Sequence, residues 1–128
     1  MEYVIEWDGD GPEDIRVETS GPVDVDVLDA MVEEALADPR FRPNMQILVD
    51  HTRASWSGVG GDEIRRRASL LLAKADRIGP QRVAFVVSGR VDLGVARMLA
   101  AYTATAAALE VKLFPTVPAA REWFTVRP

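Results

Sequence analysis

The sequence predicts a single α/β domain with a mixed, mostly parallel five-stranded sheet and helices. Residues 82–88 form a nearly continuous apolar run rich in β-branched residues, which is typical of a strand buried on both faces. Residues 89–94 follow as a polar turn with two glycines, and they open an Ala-rich segment with helical spacing. The last three predicted strands alternate with helices, and this alternation indicates parallel neighbours joined by right-handed crossovers.

The first half of the chain supplies two strands, a helix and a third strand. Residues 3–7 and 15–19 are predicted to form a hairpin, because the segment between them is dense in Asp, Gly and Pro. A helix begins near Asp24, carries apolar residues at helical spacing and ends before Pro39. Residues 45–50 form the third strand, and a Gly-rich loop that contains Trp56 and Ser57 follows it.

The second half continues the alternation of strands and helices and gives the element order ββαβαβαβα. We expect a single domain over residues 1–128. The predicted elements are a helix over 62–77, the strand over 82–88, a helix from Asp92 to about 109, a strand over 110–114, and a helix capped by Thr116 that buries Ala120, Trp123 and Phe124.

The composition excludes several kinds of site. The 128 residues include no cysteine and one histidine, so disulfides, thiol catalysis, Cys-containing zinc sites and multi-His metal sites within one chain are excluded, and we expect no cofactor. No apolar run approaches the roughly 20 residues that a membrane span needs. The acidic N-terminus also lacks the start of a signal peptide, so we expect a cytoplasmic protein without a transmembrane segment.

The charges are distributed unevenly along the chain. Residues 1–38 hold 13 of the 20 acidic residues and one base, a net charge of −12, whereas residues 39–128 carry +7. The mildly basic part does not provide the basic face that nucleic-acid binding needs, so no nucleic-acid partner is expected. We expect the two parts to attract each other within the fold or across a homodimer. A stripe of small residues on the third helix also favours a homodimer.

The candidate binding residues lie at the carboxyl ends of two central parallel strands, where open α/β sheets bind ligands. We expect residues 50–57, residues 88–92 and the start of the third helix to converge there. Arg97 lies one turn into that helix, where it can pair with the carboxylate of Asp50, of a partner chain or of a ligand. The candidate residues are Asp50, His51, Arg53, Ser55, Trp56, Ser57, Ser88, Arg90, Asp92 and Arg97.

Two motifs invite an enzymatic interpretation, and the residues around them favour a structural one. His51 could act as a general base oriented by Asp50, but no serine or cysteine lies in a recognised nucleophile motif. The glycines of residues 58–61 precede a helix, as in a phosphate loop. Asp62 and Glu63 stand there instead of the lysine and hydroxyl residue that phosphate binding requires.

For two further features, the question is whether the side chains lie on the surface or in the core. Trp56 lies in a Gly/Ser loop and either docks on the protein's own core or marks a contact surface. Residues 65–67 are three consecutive arginines, which a helix spreads over about 200°. We interpret them as part of a solvated helix face.

Three blocks of sequence point to a known family. They read ILVD at 47–50, VAFVVS at 83–88 leading to LGVARM at 93–98, and VKLFP at 111–115 with AAREWF at 119–124. Together they resemble the SpoIIAA-like domains of bacterial proteins, near the STAS and CRAL-TRIO folds. The resemblance implies a mixed sheet with helices and a small binding or regulatory domain, and it brings no reaction with it.

The resemblance does not carry the phosphorylation switch of some STAS domains. Those that antagonise anti-sigma factors have Asp-Ser-Ser-Gly between a central strand and the next helix. Here Ser57 and Gly58 match the end of that motif, but Trp56 replaces a serine and Ser55 replaces the aspartate.

The sequence therefore favours a non-enzymatic binding or regulatory domain. The alternative is a small-molecule or lipid carrier of CRAL-TRIO type, and an enzyme with His51 as base is the third hypothesis. An apolar pocket between the helices and the sheet would favour the carrier. The partner we expect is a protein or a small apolar or anionic ligand. A flat polar surface with an exposed Trp56 would favour a protein partner.

Overall fold

A computed structural model of the chain describes residues 1–89, 97 and 109–126. The third predicted helix lies outside these residues, apart from Arg97, which is helical. The described elements are β1 (Glu2–Trp7), β2 (Ile15–Pro22), α1 (Val25–Ala37), β3 (Gln46–Ser55), α2 (Gly61–Ala73), α3 (Ala75–Ile78), β4 (Gln81–Val86), β5 (Leu109–Phe114) and α4 (Val117–Thr125).

The five strands form one mixed sheet in the order β1-β2-β3-β4-β5. β1 and β2 are antiparallel, and the pairs β2–β3, β3–β4 and β4–β5 are parallel. The predicted fold class, a single α/β domain with a mixed and mostly parallel five-stranded sheet, is therefore confirmed.

β2 and β3 extend further than the sequence predicted. The predicted loop after Asp50 is strand as far as Ser55, because the end of β2 supplies pairing partners for it: Gly21 lies opposite Ala54 and Pro22 opposite Ser55. The register shifts between Glu18 and Ser20, and this irregularity lets the ladder continue past the predicted ends of both strands.

The two faces of the sheet carry separate cores, because successive side chains of a strand point to opposite faces. Leu28 and Met31 of α1 and Ile64 and Ala68 of α2 pack on the inner face of the sheet. The opposite, outer face is covered by α4. Its core consists of Ala120, Phe124, Leu48, Ala84 and Val86.

α4 forms as predicted from the sequence. The Oγ1 of Thr116 accepts a hydrogen bond from the backbone N–H of Ala119 at 3.3 Å and caps the helix. Ala120 and Phe124 are fully buried, which confirms that α4 belongs to the core. Trp123 is half-buried, and the guanidinium of Arg82 lies 4.1 Å from the centre of its ring.

Some acids of the first part of the chain pair with basic residues of the second part within the fold, which is one of the two predicted alternatives. Three basic residues, one on α2, one on α3 and one between these helices, pair with acids of α1. The pairs are Arg66 with Asp26, Lys74 with Asp29 and Arg77 with Glu33. The predicted single helix over 62–77 is interrupted at Lys74, whose ammonium reaches across to α1.

In the part of the chain that the structure describes, no helix has the length and apolar character needed to cross a membrane.

Candidate functional site

Asp50 and His51, paired in the enzyme hypothesis, point to opposite faces of β3. The carboxylate of Asp50 accepts hydrogen bonds from the backbone N–H of Thr52 at 2.9 Å and from its hydroxyl at 2.7 Å. The ring of His51 is 3% exposed and lies on the inner face. Asp50 therefore does not orient the imidazole, and the acid–base pair of the enzyme hypothesis does not form, because neighbouring residues of a strand alternate between its two faces.

His51 is held among buried side chains. Its Nδ1 lies 2.6 Å from the Oγ1 of Thr19, and the ring stacks on Phe85 with a centroid distance of 5.7 Å. Trp56 meets the same ring edge-on at 5.3 Å and is 2% exposed. Of the two interpretations of Trp56, the one in which it docks on the protein's own core is the correct one.

The environment of His51 favours the neutral imidazole. Burial is the main cause that lowers its pKa to about 3, the positive charge of Arg67 lowers it further, and the charge of Asp50 opposes both. A ring with this pKa is neutral at physiological pH and is a poor proton acceptor. Its burial also keeps it away from a substrate in solvent.

Arg67 is the most unusual group on the inner face. Although Arg65 and Arg66 are exposed, as predicted, Arg67 is 5% exposed, so this part of the solvated-face interpretation is wrong. The reason is its position: it lies three residues after Ile64 and four before Leu71, on the apolar side of α2. Burial lowers its pKa to about 10, against the attraction of Asp29, so the guanidinium keeps its charge at neutral pH.

Part of this guanidinium has no hydrogen-bond partner. Nε and Nη1 of Arg67 are both buried, and neither donates to an acceptor. Burying polar N–H groups without partners costs free energy, and such groups are rare in folded proteins. The unmatched donors therefore mark a place where an acceptor is missing.

A cavity of about 110 Å³ lies beside Arg67, between the inner face of the sheet and α1 and α2. Among the described residues that line it, Arg67 is the one polar side chain, and the rest are aliphatic or aromatic. Representative lining residues are Val32, Leu36, Leu71, Ile47, Val83 and Val111.

Other predicted site residues lie on the outer face instead. Asp50 and Arg53 line a groove of about 570 Å³ that runs across β1, β2 and β3. The groove also carries Arg16 and Glu18, which form an ion pair at 2.8 Å. Because its acidic and basic groups are interspersed, the groove has no clear preference for a ligand charge.

The remaining candidate binding residues lie neither in the inner core around His51 nor in the groove on the outer face. The hydroxyls of Ser55 and Ser57 are exposed and lie 2.9 Å apart, and Ser88 is exposed just after β4. Arg97 is exposed and forms no ion pair with Asp50. The predicted convergence on one site is therefore not seen for these residues, and Arg90 and Asp92 lie outside the described part of the chain.

The predicted residues thus do not form one site, because His51 and Trp56 lie on the inner face and Asp50 and Arg53 line the outer groove. The described residues contain no group of His, Asp and Glu that could hold a metal ion. Sequence reasoning missed Thr19 and Arg67. A signal existed for both: Thr19 continues the inward alternation of Ile15 and Val17, and Arg67 occupies a buried position of the helical pattern.

Comparison with known proteins gives one structural likeness. No protein-family model matches the chain, and no curated protein matches it. A solved structure that is similar is an uncharacterized protein of the DUF3478 family with a SpoIIAA-like fold from Shewanella loihica PV-4. It is 22% identical in sequence, with a TM-score of 0.59, over 96% of this chain and 92% of that one. The likeness agrees with the resemblance seen in the sequence blocks, and the chain has a SpoIIAA-like fold.

Proposed function

We propose that this domain is a non-enzymatic binding domain whose ligand is a small, largely apolar molecule held between the sheet and α1 and α2. The observation that carries the proposal is the apolar cavity of about 110 Å³. Protein interiors are close-packed, with few voids larger than a water molecule. An apolar cavity of about 150 Å³ in an engineered protein is sufficient to bind benzene.

The cavity is also open to entry. Ile47, Leu71, Leu109 and Val111 line it and are only partly buried, although they face the core. Partial exposure of apolar side chains at this position costs free energy that a ligand would recover by displacing water. This is the arrangement expected of a binding pocket rather than of a sealed packing defect.

The other two hypotheses have less support. An exposed Trp56 would favour the recognition of a protein partner. The side chain of Trp56 is buried, so this support is absent. An enzyme with His51 as base requires a basic, accessible imidazole, and this ring is buried and neutral. The described residues offer no other general base at the cavity.

The homodimer stays a prediction. One of the two observations that support it is the acidic first part of the chain. Three of those acids form ion pairs within one chain, between α1 and the α2–α3 segment. The other supporting observation, the stripe of small residues on the predicted third helix, lies outside the described residues. Sedimentation equilibrium at tens of micromolar protein distinguishes a dimer from a monomer.

The binding proposal is tested by filling the cavity. Ala35 of α1 lines it, and Ala30 lies on the exposed side of the same helix. The probes are 1-hexanol, cyclohexanol and hexanoate, followed by methyl chemical shifts in NMR spectra of the full chain. We expect at least one probe to shift the methyl signals of Leu36 and Leu71, Ala35→Leu to abolish the effect, and Ala30→Leu to retain it. No binding of any probe at millimolar concentration, or undiminished binding to the A35L variant, would overturn the proposal.

A further inference from the structure

We infer that the ligand is an anion: a small carboxylic acid whose apolar body occupies the cavity and whose carboxylate accepts hydrogen bonds from Arg67. This inference rests on the proposed function and names the chemical class of its ligand. It is carried by the position of a buried guanidinium with unmatched donors on the wall of an otherwise apolar cavity.

The first step concerns hydrogen bonding. Nε of an arginine carries one N–H group and Nη1 carries two, so three donors of Arg67 are buried without an acceptor. The described residues that line the cavity are otherwise apolar and offer no side-chain acceptor. An acceptor placed in the cavity by a ligand would satisfy donors that the chain itself leaves unmatched.

The second step concerns charge. The carboxylate that most affects Arg67 is that of Asp29, and Asp29 is already paired with the ammonium of Lys74. Among the described residues, Arg67 therefore has no dedicated counter-ion for the positive charge that it places against an apolar space. A charge in such a medium interacts more strongly with an opposite charge than it does in water. A carboxylate matches the planar guanidinium in both charge and hydrogen-bonding geometry.

The third step concerns size. Because a cavity of about 150 Å³ accommodates benzene, a cavity of about 110 Å³ holds an apolar body of roughly four or five carbon atoms. Hexanoate and similar short-chain or branched acids fit this limit, whereas a long-chain fatty acid exceeds it. One water molecule accepts at most two of these three hydrogen bonds and would leave the apolar wall unfilled.

The test compares an acid with the matching alcohol. Isothermal titration calorimetry of the full chain at pH 7 would use hexanoate, 1-hexanol and decanoate. We expect hexanoate to bind at least tenfold more tightly than 1-hexanol and more tightly than decanoate. Equal affinities for hexanoate and 1-hexanol would overturn the anion inference and leave the proposed function standing. Binding of none of the three would overturn both, and tighter binding of decanoate would overturn the size limit.

A pair of charge-matched variants isolates Arg67. Arg67→Met keeps an unbranched side chain of similar length and removes the charge. Arg66→Met makes the same change on the exposed side of α2. We expect the R67M variant to lose the preference for hexanoate over 1-hexanol and the R66M variant to keep it. Retention of the preference by R67M would overturn the assignment of Arg67.

A measurement on the wild-type protein covers the case in which R67M does not fold. The ¹⁵Nε–¹H signal of Arg67 is expected to shift on addition of hexanoate and to remain in place at an equal concentration of 1-hexanol. An unchanged Arg67 signal at a hexanoate concentration that saturates the methyl shifts would contradict the proposed contact.

Discussion

The hydroxyl of Thr19 on β2 lies 2.6 Å from the Nδ1 of His51 on β3, and both side chains are buried. This contact joins the two parallel strands through side chains as well as through the backbone ladder. It also satisfies one of the two ring nitrogens of an imidazole that has no access to water.

Replacing Thr19 by Val tests the contact. Valine keeps the shape of the side chain and leaves the Nδ1 of His51 without its partner, so we expect the free energy of unfolding to fall by about 1–3 kcal/mol. Urea denaturation followed by circular dichroism measures the loss. The control is Thr52→Val on β3, where the hydroxyl is exposed and the loss should stay below about 0.5 kcal/mol. Equal losses in the two variants would contradict a structural role for the buried contact.

Acid should destabilise the fold through His51. The pKa of this ring is about 3 in the fold and near 6.5 in the unfolded chain, so the unfolded state binds more protons between these values. The free energy of unfolding should therefore fall as the pH is lowered from about 6.5 towards 3, by up to about 1.4 kcal/mol per pH unit from this group.

The pH effect is isolated by comparison with His51→Gln, because carboxylates titrate in both proteins. Between pH 6.5 and 4.5 the wild type should lose stability more steeply than the H51Q variant. In NMR spectra of the wild type, the imidazole C–H signals should not titrate between pH 5 and 8. A titration with a midpoint near 6.5 in the folded protein would show that the ring is accessible and would contradict the burial described above.

The pair of Glu13 and Arg121 ties the first part of the chain to α4. The carboxylate of Glu13 is almost fully buried and accepts hydrogen bonds from the Nε of Arg121 at 3.0 and 3.2 Å. Arg121→Met would leave a buried carboxylate without its counter-ion, and we expect a loss of about 2–3 kcal/mol in guanidinium denaturation. The double change E13Q with R121M should recover part of it.

The control for this pair is Arg42→Met, which breaks the more exposed contact with Asp14 at 3.5 Å. Exposed ion pairs contribute at most about 1 kcal/mol. If R42M cost as much as R121M, the burial of Glu13 would not explain the effect.

The outer core should depend on Phe124. This side chain is 1% exposed and packs with Leu48, Ala84 and Val86, so Phe124→Ala is expected to cost about 3–5 kcal/mol. Val126, two residues later, is 67% exposed, and V126A should change stability by less than about 0.5 kcal/mol. A thermal-denaturation comparison of the two variants checks this, and similar melting temperatures would contradict the packing of α4 on the sheet.

The fold was predictable because its signals are local. The apolar run that forms β4, the aspartate that caps α1 and the threonine that caps α4 each act within a few residues of the element they define. The extension of β3 through Ser55 was not predictable in this way. It depends on pairing with the end of β2, more than thirty residues earlier in the chain.

The candidate site was harder to predict because tertiary packing assembles it. The cavity is lined by residues of α1, of α2 and of all five described strands, and no single segment carries its pattern. The charge of Arg67 predicts a surface position, whereas its place on the apolar side of α2 buries it. Open α/β sheets bind ligands at the carboxyl ends of their strands, and this predicts a site at residues 50–57. The alternation of side chains along β3 divides these residues between the two faces of the sheet.

The strands lie in the sheet in the same order as they occur in the chain. As the polypeptide leaves the ribosome, each new strand can therefore add to an edge that already exists, and none has to be inserted between two earlier strands. α4, which rests on β3, β4 and β5, is made after these strands and closes the outer face over strands that are already paired. Growth of the sheet can thus keep pace with synthesis, and the outer core is completed only with the last residues of α4.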